Sequence, residues 1–364
     1  MAPRSILIIG AGIGGAAAAV LLARSGHRVT VVERAGQTRS SGSPVDIRGA
    51  ALEVARRLGV IDQLRAADTG VRRVEFVDRN GRPRASARLR SPDSPDIEIA
   101  RAELGRVLVD RLSDDAELVM GETPIAIAQD ASGVDVRFSR MPDRRFDLVI
   151  GADGQHSTTR GLVWGSESGY RRSIGLAIAT VRLDLELDPE LVLIHNEPGV
   201  SLALHPAGGQ PGAAFIFRSE LAEAPTNRAE QQRLLETKYA GVGWRSNELL
   251  GAARQREELY FDVVSRVHVP RWSIGRIGLL GDASSSVTIL GEGSSMALLG
   301  AARLTDALAE TDDLVLGLER YEAAHRPEVE RLQRGVRLGT GVLVPTTRAG
   351  IAMRNLLVRV ARKV

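Results

Sequence analysis

A chain of 364 residues, 43% apolar and 26% charged with a formal net charge of +3, has the size for about two domains around a large core. The absence of cysteine excludes a disulfide framework, thiolate catalysis and cysteine-held metals, and six histidines without close spacing predict no metal site. No apolar run approaches the ~20 residues of a membrane span, and a first strand starting at Ser5 leaves no room for a signal peptide, so a cytoplasmic setting is expected.

Residues 5–15, Ser-Ile-Leu-Ile-Ile-Gly-Ala-Gly-Ile-Gly-Gly, read as a strand turning into an alanine-rich helix, and 29–33, Val-Thr-Val-Val-Glu, as a second strand. Gly10, Gly12 and Gly15 satisfy G-x-G-x-x-G, with Ile13 and Gly14 between them. In a dinucleotide site these glycines allow a tight turn, close approach to a pyrophosphate, and close packing of helix on strand. Free N–H groups at the helix start then hold the phosphates. Glu33 ends the second strand, 18 residues after Gly15, where a carboxylate accepts bonds from a ribose hydroxyl. Strand, glycines, helix, strand and acid in this order predict a bound dinucleotide.

Further along, 74–78 reads as a strand, and 117–120, 124–129, 134–139 and 146–150 as short alternating strands. The last of them delivers Gly151-Ala152-Asp153-Gly154, with Ser157 and Arg160 behind it. Residues 191–195, 199–205 and 213–218 read as strands with alternating faces. A second strand end, 277–280, carries Gly281-Asp282-Ala283, a Ser/Thr stretch, and Gly291-Glu292-Gly293 with Ser294, where a helix opens. Ligands in open α/β sheets bind beyond the carboxyl ends of the strands, so both aspartates converge on one crevice. The helix opening at 291–294 offers N–H groups to an anion there.

The C-terminal segment differs from the rest. Residues 331–364 contain eight basic residues and no acid, against 40 basic and 45 acidic residues elsewhere. A basic amphipathic helix is expected, with Ile351, Leu356, Leu357 and Val360 near one face and Arg354 and Arg359 off it. A helix docked on an acidic body is favoured over a membrane or nucleic-acid surface, since the stretch is short and lacks aromatics. No nucleic-acid function is expected.

Three motifs in order, Gly10–Gly15, Gly151–Gly154 with Ser157 and Arg160, and Gly281–Ala283 with Gly291–Gly293, resemble the single-component FAD-dependent aromatic hydroxylases of the para-hydroxybenzoate hydroxylase fold. The likeness runs from about residue 5 to 330. Residues 45–49 with Leu58-Gly59, and 96–104, resemble most the tetracycline-inactivating subgroup. The resemblance implies an α/β protein: a Rossmann-type FAD-binding domain (1–70, 100–175, 270–330), an inserted sheet-based substrate domain (71–99, 176–269) and a C-terminal basic helix (331–364).

Carried over by position, it implies that Gly10, Gly12 and Gly15 hold the FAD pyrophosphate, Glu33 the adenosine ribose, and Arg34 the adenine end. Arg101 would reach FAD, Asp153 would shape the nicotinamide region, and Asp282 would accept from the ribityl hydroxyls. Gly291, Glu292 and Gly293 would bring N–H groups to the pyrimidine edge, where reduced flavin carries negative charge. Arg48, in a turn-rich stretch expected to pass the flavin ring, is the candidate cation there. The family proline before the last motif is replaced by Thr288.

The implied chemistry is reduction of FAD by NADPH or NADH, addition of O2 to give a flavin C4a-hydroperoxide, and oxygen transfer to an aromatic or polycyclic small molecule. His195, His205, Phe215, Phe217 and Arg218 are the substrate-domain candidates for ligand contact, and low aromatic content predicts an aliphatic-walled cavity. An FAD-dependent isoprenoid reductase and a non-catalytic FAD- or drug-binding protein stand as alternatives, the first separable by its independence of oxygen.

Overall fold

Four of the five residues of Ser5–Ile9 are buried, as expected of a strand covered on both faces. The structure is a computed structural model that describes residues 2–36, 44–112, 116–256, 258–286 and 291–361, with backbone alone at 336–338 and 361. Ser5–Ile9 sits within a six-stranded sheet ordered Ser273–Ile274, Ile277–Leu279, Leu148–Gly151, Ser5–Ile9, Arg28–Glu33, Glu117–Met120. All its pairings are parallel except the hairpin at Ser273–Ile274. The carboxyl ends of the strands from Ile9, Glu33, Gly151 and Leu279 therefore point the same way, and the motifs follow those ends.

The helix Ile13–Arg24 is alanine-rich because it is enclosed: Ala16 to Ala19 are fully buried between the sheet and the helices Arg101–Leu112 and Gly293–Ala309. Residues 146–150, expected as one strand, divide at Asp147. Arg144–Phe146 pairs antiparallel with Val134–Phe138 in a separate three-stranded sheet, while Leu148–Gly151 joins the central one. The Asp147 amide donates to the Ser5 carbonyl and its carboxylate accepts from the Ser5 amide, which pins the break.

A seven-stranded sheet forms the second unit, ordered Tyr260–Val267, Arg171–Arg182, Gly212–Arg218, Val200–His205, Leu191–Glu197, Arg73–Val77, Pro83–Arg88. The strand Arg171–Arg182 runs unbroken past position 175, with a register shift between Ser173 and Leu176. One face packs Leu202, Phe215 and Phe217 against Leu235, Tyr239 and Leu249 of the helices Arg228–Tyr239 and Ser246–Gln255. Alternation leaves Leu176, Ile178 and Ile216 on the other face, towards the unit built on the six-stranded sheet. A ribbon of Pro44–Ile47 with Ile97–Ala100 links the two units.

Residue 331 falls inside a long helix, Leu314–Leu343, and the last helix, Arg348–Ala361, lies against the edge strand Pro83–Arg88. Among the described residues no helix is long and apolar enough to cross a membrane.

Candidate active site

Two cavities meet at Gly12, Ile13 and Arg101. One, of about 510 Å³, extends past Ala11, Glu33 and Arg34; the other, of about 260 Å³, extends beneath the sheet to Asp282, Gly291 and Ser294. Together they make an elongated crevice along the ends of the parallel strands.

At the first end, the turn is closed by backbone geometry. Gly10 has φ +105°, and a Cβ there would lie 2.6 Å from the Ala152 carbonyl oxygen. A Cβ on Gly15 would overlap the Gly10 carbonyl, so helix and strand approach as closely as glycine permits. Gly12 faces open space, and the helix it begins has no side-chain cap and no acid in its first turn. Its first N–H groups are therefore free for an anion. Glu33 accepts from the Ala11 amide at 3.0 Å and the Ala35 amide at 2.8 Å, which aims its carboxylate along the cavity wall, with Arg34 exposed beside it.

At the second end, Gly293–Ala309 also begins without a side-chain cap, behind Glu292. Asp282 lines the cavity on the short turn Gly281–Ala283, and its carboxylate has no hydrogen-bond partner among the described residues. Burial raises its pKa and the Arg101 guanidinium opposes that shift. An acceptor left unpartnered in a cavity is the complement of a ligand rich in hydroxyl donors.

Asp153 spends its oxygens within the protein. It accepts from Ser157 Oγ at 2.5 Å and from the Thr159 amide and hydroxyl at 2.8 and 3.0 Å, holding the start of the helix Thr158–Trp164. It still borders a side cavity shared with Gly10, Glu33 and His156. Arg160, fully buried, donates to the carbonyls of Gln155 and Ala283 and so ties the two aspartate motifs together.

Sequence reasoning missed Asp46. Its Oδ2 lies 3.0 Å from Arg48, its Oδ1 is buried without a partner, and burial raises its pKa against the pull of Arg48. A Cβ on Gly291 would come within 2.5 Å of Oδ2. Ser295 Oγ donates to the Asp46 carbonyl and accepts from the Arg48 amide, which stitches Pro44–Ile47 to the start of Gly293–Ala309. Arg48 is thus half-exposed and paired with Asp46 at the crevice margin. Thr288 lies outside the described residues.

The substrate-domain expectations need correction. Phe215 and Phe217 are fully buried on the helix-covered face, edge-on to Tyr239 at 5.1 and 6.2 Å, and do not reach the crevice. His195 is 1% exposed on that same face, its Nδ1 3.0 Å from the Val77 carbonyl. Both faces of the strand 212–218 carry apolar residues, and Ile216 is the one that faces the cavity. Arg218 donates to the carbonyls of Thr340 and Val344, holding the end of the long helix. His205 pairs with Glu98 at 3.1 Å beside a further cavity of about 440 Å³, which continues along the same sheet face under Thr180, Arg182 and Ala214. The roof of the crevice is Leu176, Ile178, Ile216 and Val264, with Tyr260 and Leu343 at its sides.

A crevice with an uncapped helix start at each end, a carboxylate at the ribose position and an unpartnered carboxylate between fits FAD. The chain matches the FAD binding domain family over residues 4–334. An uncharacterised protein of Mycobacterium tuberculosis is 36% identical over 345 residues, 91% of this chain and 92% of that protein. A flavin-dependent monooxygenase of an unknown prokaryotic organism is 32% identical over 342 residues, 91% and 88% of the two chains. Among solved structures, tetracycline destructase Tet(55) is similar with a TM-score of 0.85 at 30% identity, covering 98% of this chain and 95% of that one. HpxO of Klebsiella pneumoniae complexed with FAD and uric acid gives a TM-score of 0.80 at 25% identity, covering 98% and 92%. The chain belongs to the FAD binding domain family and is a flavin-dependent monooxygenase of the class A type.

Proposed function

From that membership we propose that the protein uses NADPH or NADH and O2 to hydroxylate an aromatic, phenolic or polyketide-like small molecule held between the flavin ring and the aliphatic roof. Modification of a polyketide antibiotic is the specific form supported by likeness to a tetracycline destructase. Bound FAD supplies the activation of dioxygen. The observation that carries the reading is the pairing of an aliphatic roof with an anion-stabilising floor: Leu176, Ile178, Ile216 and Val264 above, and Arg101 with the start of Gly293–Ala309 below.

In this reading the N–H groups at Gly12 to Gly14 and Gly15's close packing hold the pyrophosphate, Glu33 the ribose and Arg34 the adenine end. Asp282 accepts from the ribityl hydroxyls, and Gly291, Glu292, Gly293 and Ser294 face the ring's pyrimidine edge, where a helix N-terminus stabilises negative charge. Arg48 stands at the margin, where Asp46 offsets its charge. Asp153 shapes the wall where the nicotinamide visits. The roof keeps water from the reacting face and offers a substrate apolar surface without fixed partners. Polar substituents extend towards Thr180, Arg182 and His205 in the adjoining cavity.

The test is oxidation of NADPH and NADH by the purified holoprotein with a panel of phenols, polyketides and purines. One compound is expected to accelerate oxidation and to leave as a product with one added oxygen atom. Turnover of the compound without oxygen would favour a reductase. Bound flavin that neither nicotinamide reduces would favour a binding protein.

A further inference from the structure

The last helix, Arg348–Ala361, docks through Ile351, Arg354, Asn355 and Val358. Arg354 is 6% exposed, stacks 3.9 Å over the Phe76 ring and donates to Asn196 Oδ1 at 2.6 Å. Arg359 donates to the Arg84 carbonyl at 2.6 Å. The outward side carries Met353, Leu356, Leu357 and Val360, each more than half exposed. Their spacing of three, four and seven places them in one stripe along the helix. A helix held to its own protein by an arginine, with its leucines in water, presents the surface normally buried.

Charge decides what covers it. The helix has no acid, and two of its three arginines, Arg348 and Arg359, are exposed while Arg354 is buried. Arg88 is exposed on the edge strand against which the helix rests. A second copy meeting stripe to stripe would bring the two basic clusters together. An anionic surface instead neutralises them while burying the leucines.

We propose that the outward face of Arg348–Ala361 is a peripheral docking surface for anionic phospholipid, with Met353, Leu356, Leu357 and Val360 entering the acyl boundary and Arg88, Arg348 and Arg359 meeting headgroup phosphates. The stripe holds no tryptophan or tyrosine, so attachment is reversible and depends on both apolar and charged contacts. Only four residues separate this helix from Leu343, which lines the cavity beneath the sheet. The proposal does not depend on which substrate is oxidised.

The experiment is flotation of the full-length, FAD-loaded protein with vesicles of phosphatidylcholine mixed with phosphatidylglycerol, against phosphatidylcholine alone. The wild type is expected to bind the mixed vesicles at least tenfold better, with binding falling as salt rises. Leu356→Glu/Leu357→Glu is expected to lower the bound fraction about tenfold or more at unchanged flavin content. If that variant loses flavin, Val360→Asp on the same stripe takes its place with the same expectation. Equal binding to both vesicle types, or wild-type binding by a folded variant, overturns the proposal. A dimer in gel filtration that Leu356→Glu/Leu357→Glu dissolves, without vesicle binding, reassigns the stripe to self-association.

Discussion

In the crevice between Gly10 and Gly293 the groups that face a ligand are backbone N–H groups, carboxylates and the Arg101 guanidinium, whereas the roof of Leu176, Ile178, Ile216 and Val264 offers only aliphatic surface. The floor works through backbone shape, so one added methyl at Gly10 or Gly15 meets main chain that cannot move aside. The roof works through volume and exclusion of water, which side chains of similar size provide equally well. A fixed cofactor site beneath an exchangeable roof explains how one fold serves several substrates.

The largest expected effect separates the two faces of the roof itself. Phe215→Ala should destabilise the protein by about 4 kcal/mol, because it empties space beside Tyr239 in the helix-covered core. Ile216→Ala, one position along, should cost much less stability while raising KM for the oxidised compound and the fraction of NADPH consumed without product. Thermal unfolding and coupling measurements check both. A Phe215→Ala protein of normal stability with altered KM would reverse the assignment of faces.

Gly15→Ala tests the floor by adding a methyl against the Gly10 carbonyl. A loss of about 3 kcal/mol is expected, together with loss of bound FAD, read from the melting temperature and flavin-to-protein ratio.

Asp282→Asn should act in opposite directions on the two states. Burial raises the Asp282 pKa, so ionising it costs the FAD-free protein stability as pH rises above the ordinary carboxylate range. The substitution should therefore raise the melting temperature of the FAD-free protein at neutral pH. It should also weaken FAD binding by about 2 kcal/mol, roughly thirtyfold, through loss of a charged acceptor. Flavin titration measures the second effect, and unchanged affinity would remove Asp282 from the cofactor site.

A smaller effect lies behind the crevice. Burial, with Arg303 adding to it, lowers the pKa of His325 from 6.5 to about 4. The unfolded chain takes up this proton first, so the stability contribution is complete above pH 6.5 and declines as pH falls towards 4. About 2 kcal/mol should be gone by pH 5, and His325→Gln should flatten that limb of the stability curve. An unchanged acid limb would show that other groups set it.

How much of this was legible in the sequence follows from how local each feature is. The turn at Gly10–Gly15 and the acids Glu33, Asp153 and Asp282 are visible because a strand end and its turn lie within a few residues of one another. Asp46 is not, because its place depends on Pro44–Ile47 pairing with Ile97–Ala100 and meeting Gly291, far along the chain. Phe215 and Ile216 could not be assigned to faces because neither side of that strand meets bulk water. In the last helix Ile351 is expected on one face with Leu356, Leu357 and Val360, but Ile351 is half-buried, those three are exposed, and Arg354 is buried. Stacking on Phe76 and a bond to Asn196, both far away in sequence, outweigh the periodicity of its leucines.

The most direct test of the central claim is to run the reaction under isotopically labelled dioxygen with the compound that most accelerates NADPH oxidation, and to weigh the product. Incorporation of one labelled oxygen atom is predicted. A product carrying oxygen from water, or none at all, would contradict a monooxygenase working beneath this roof.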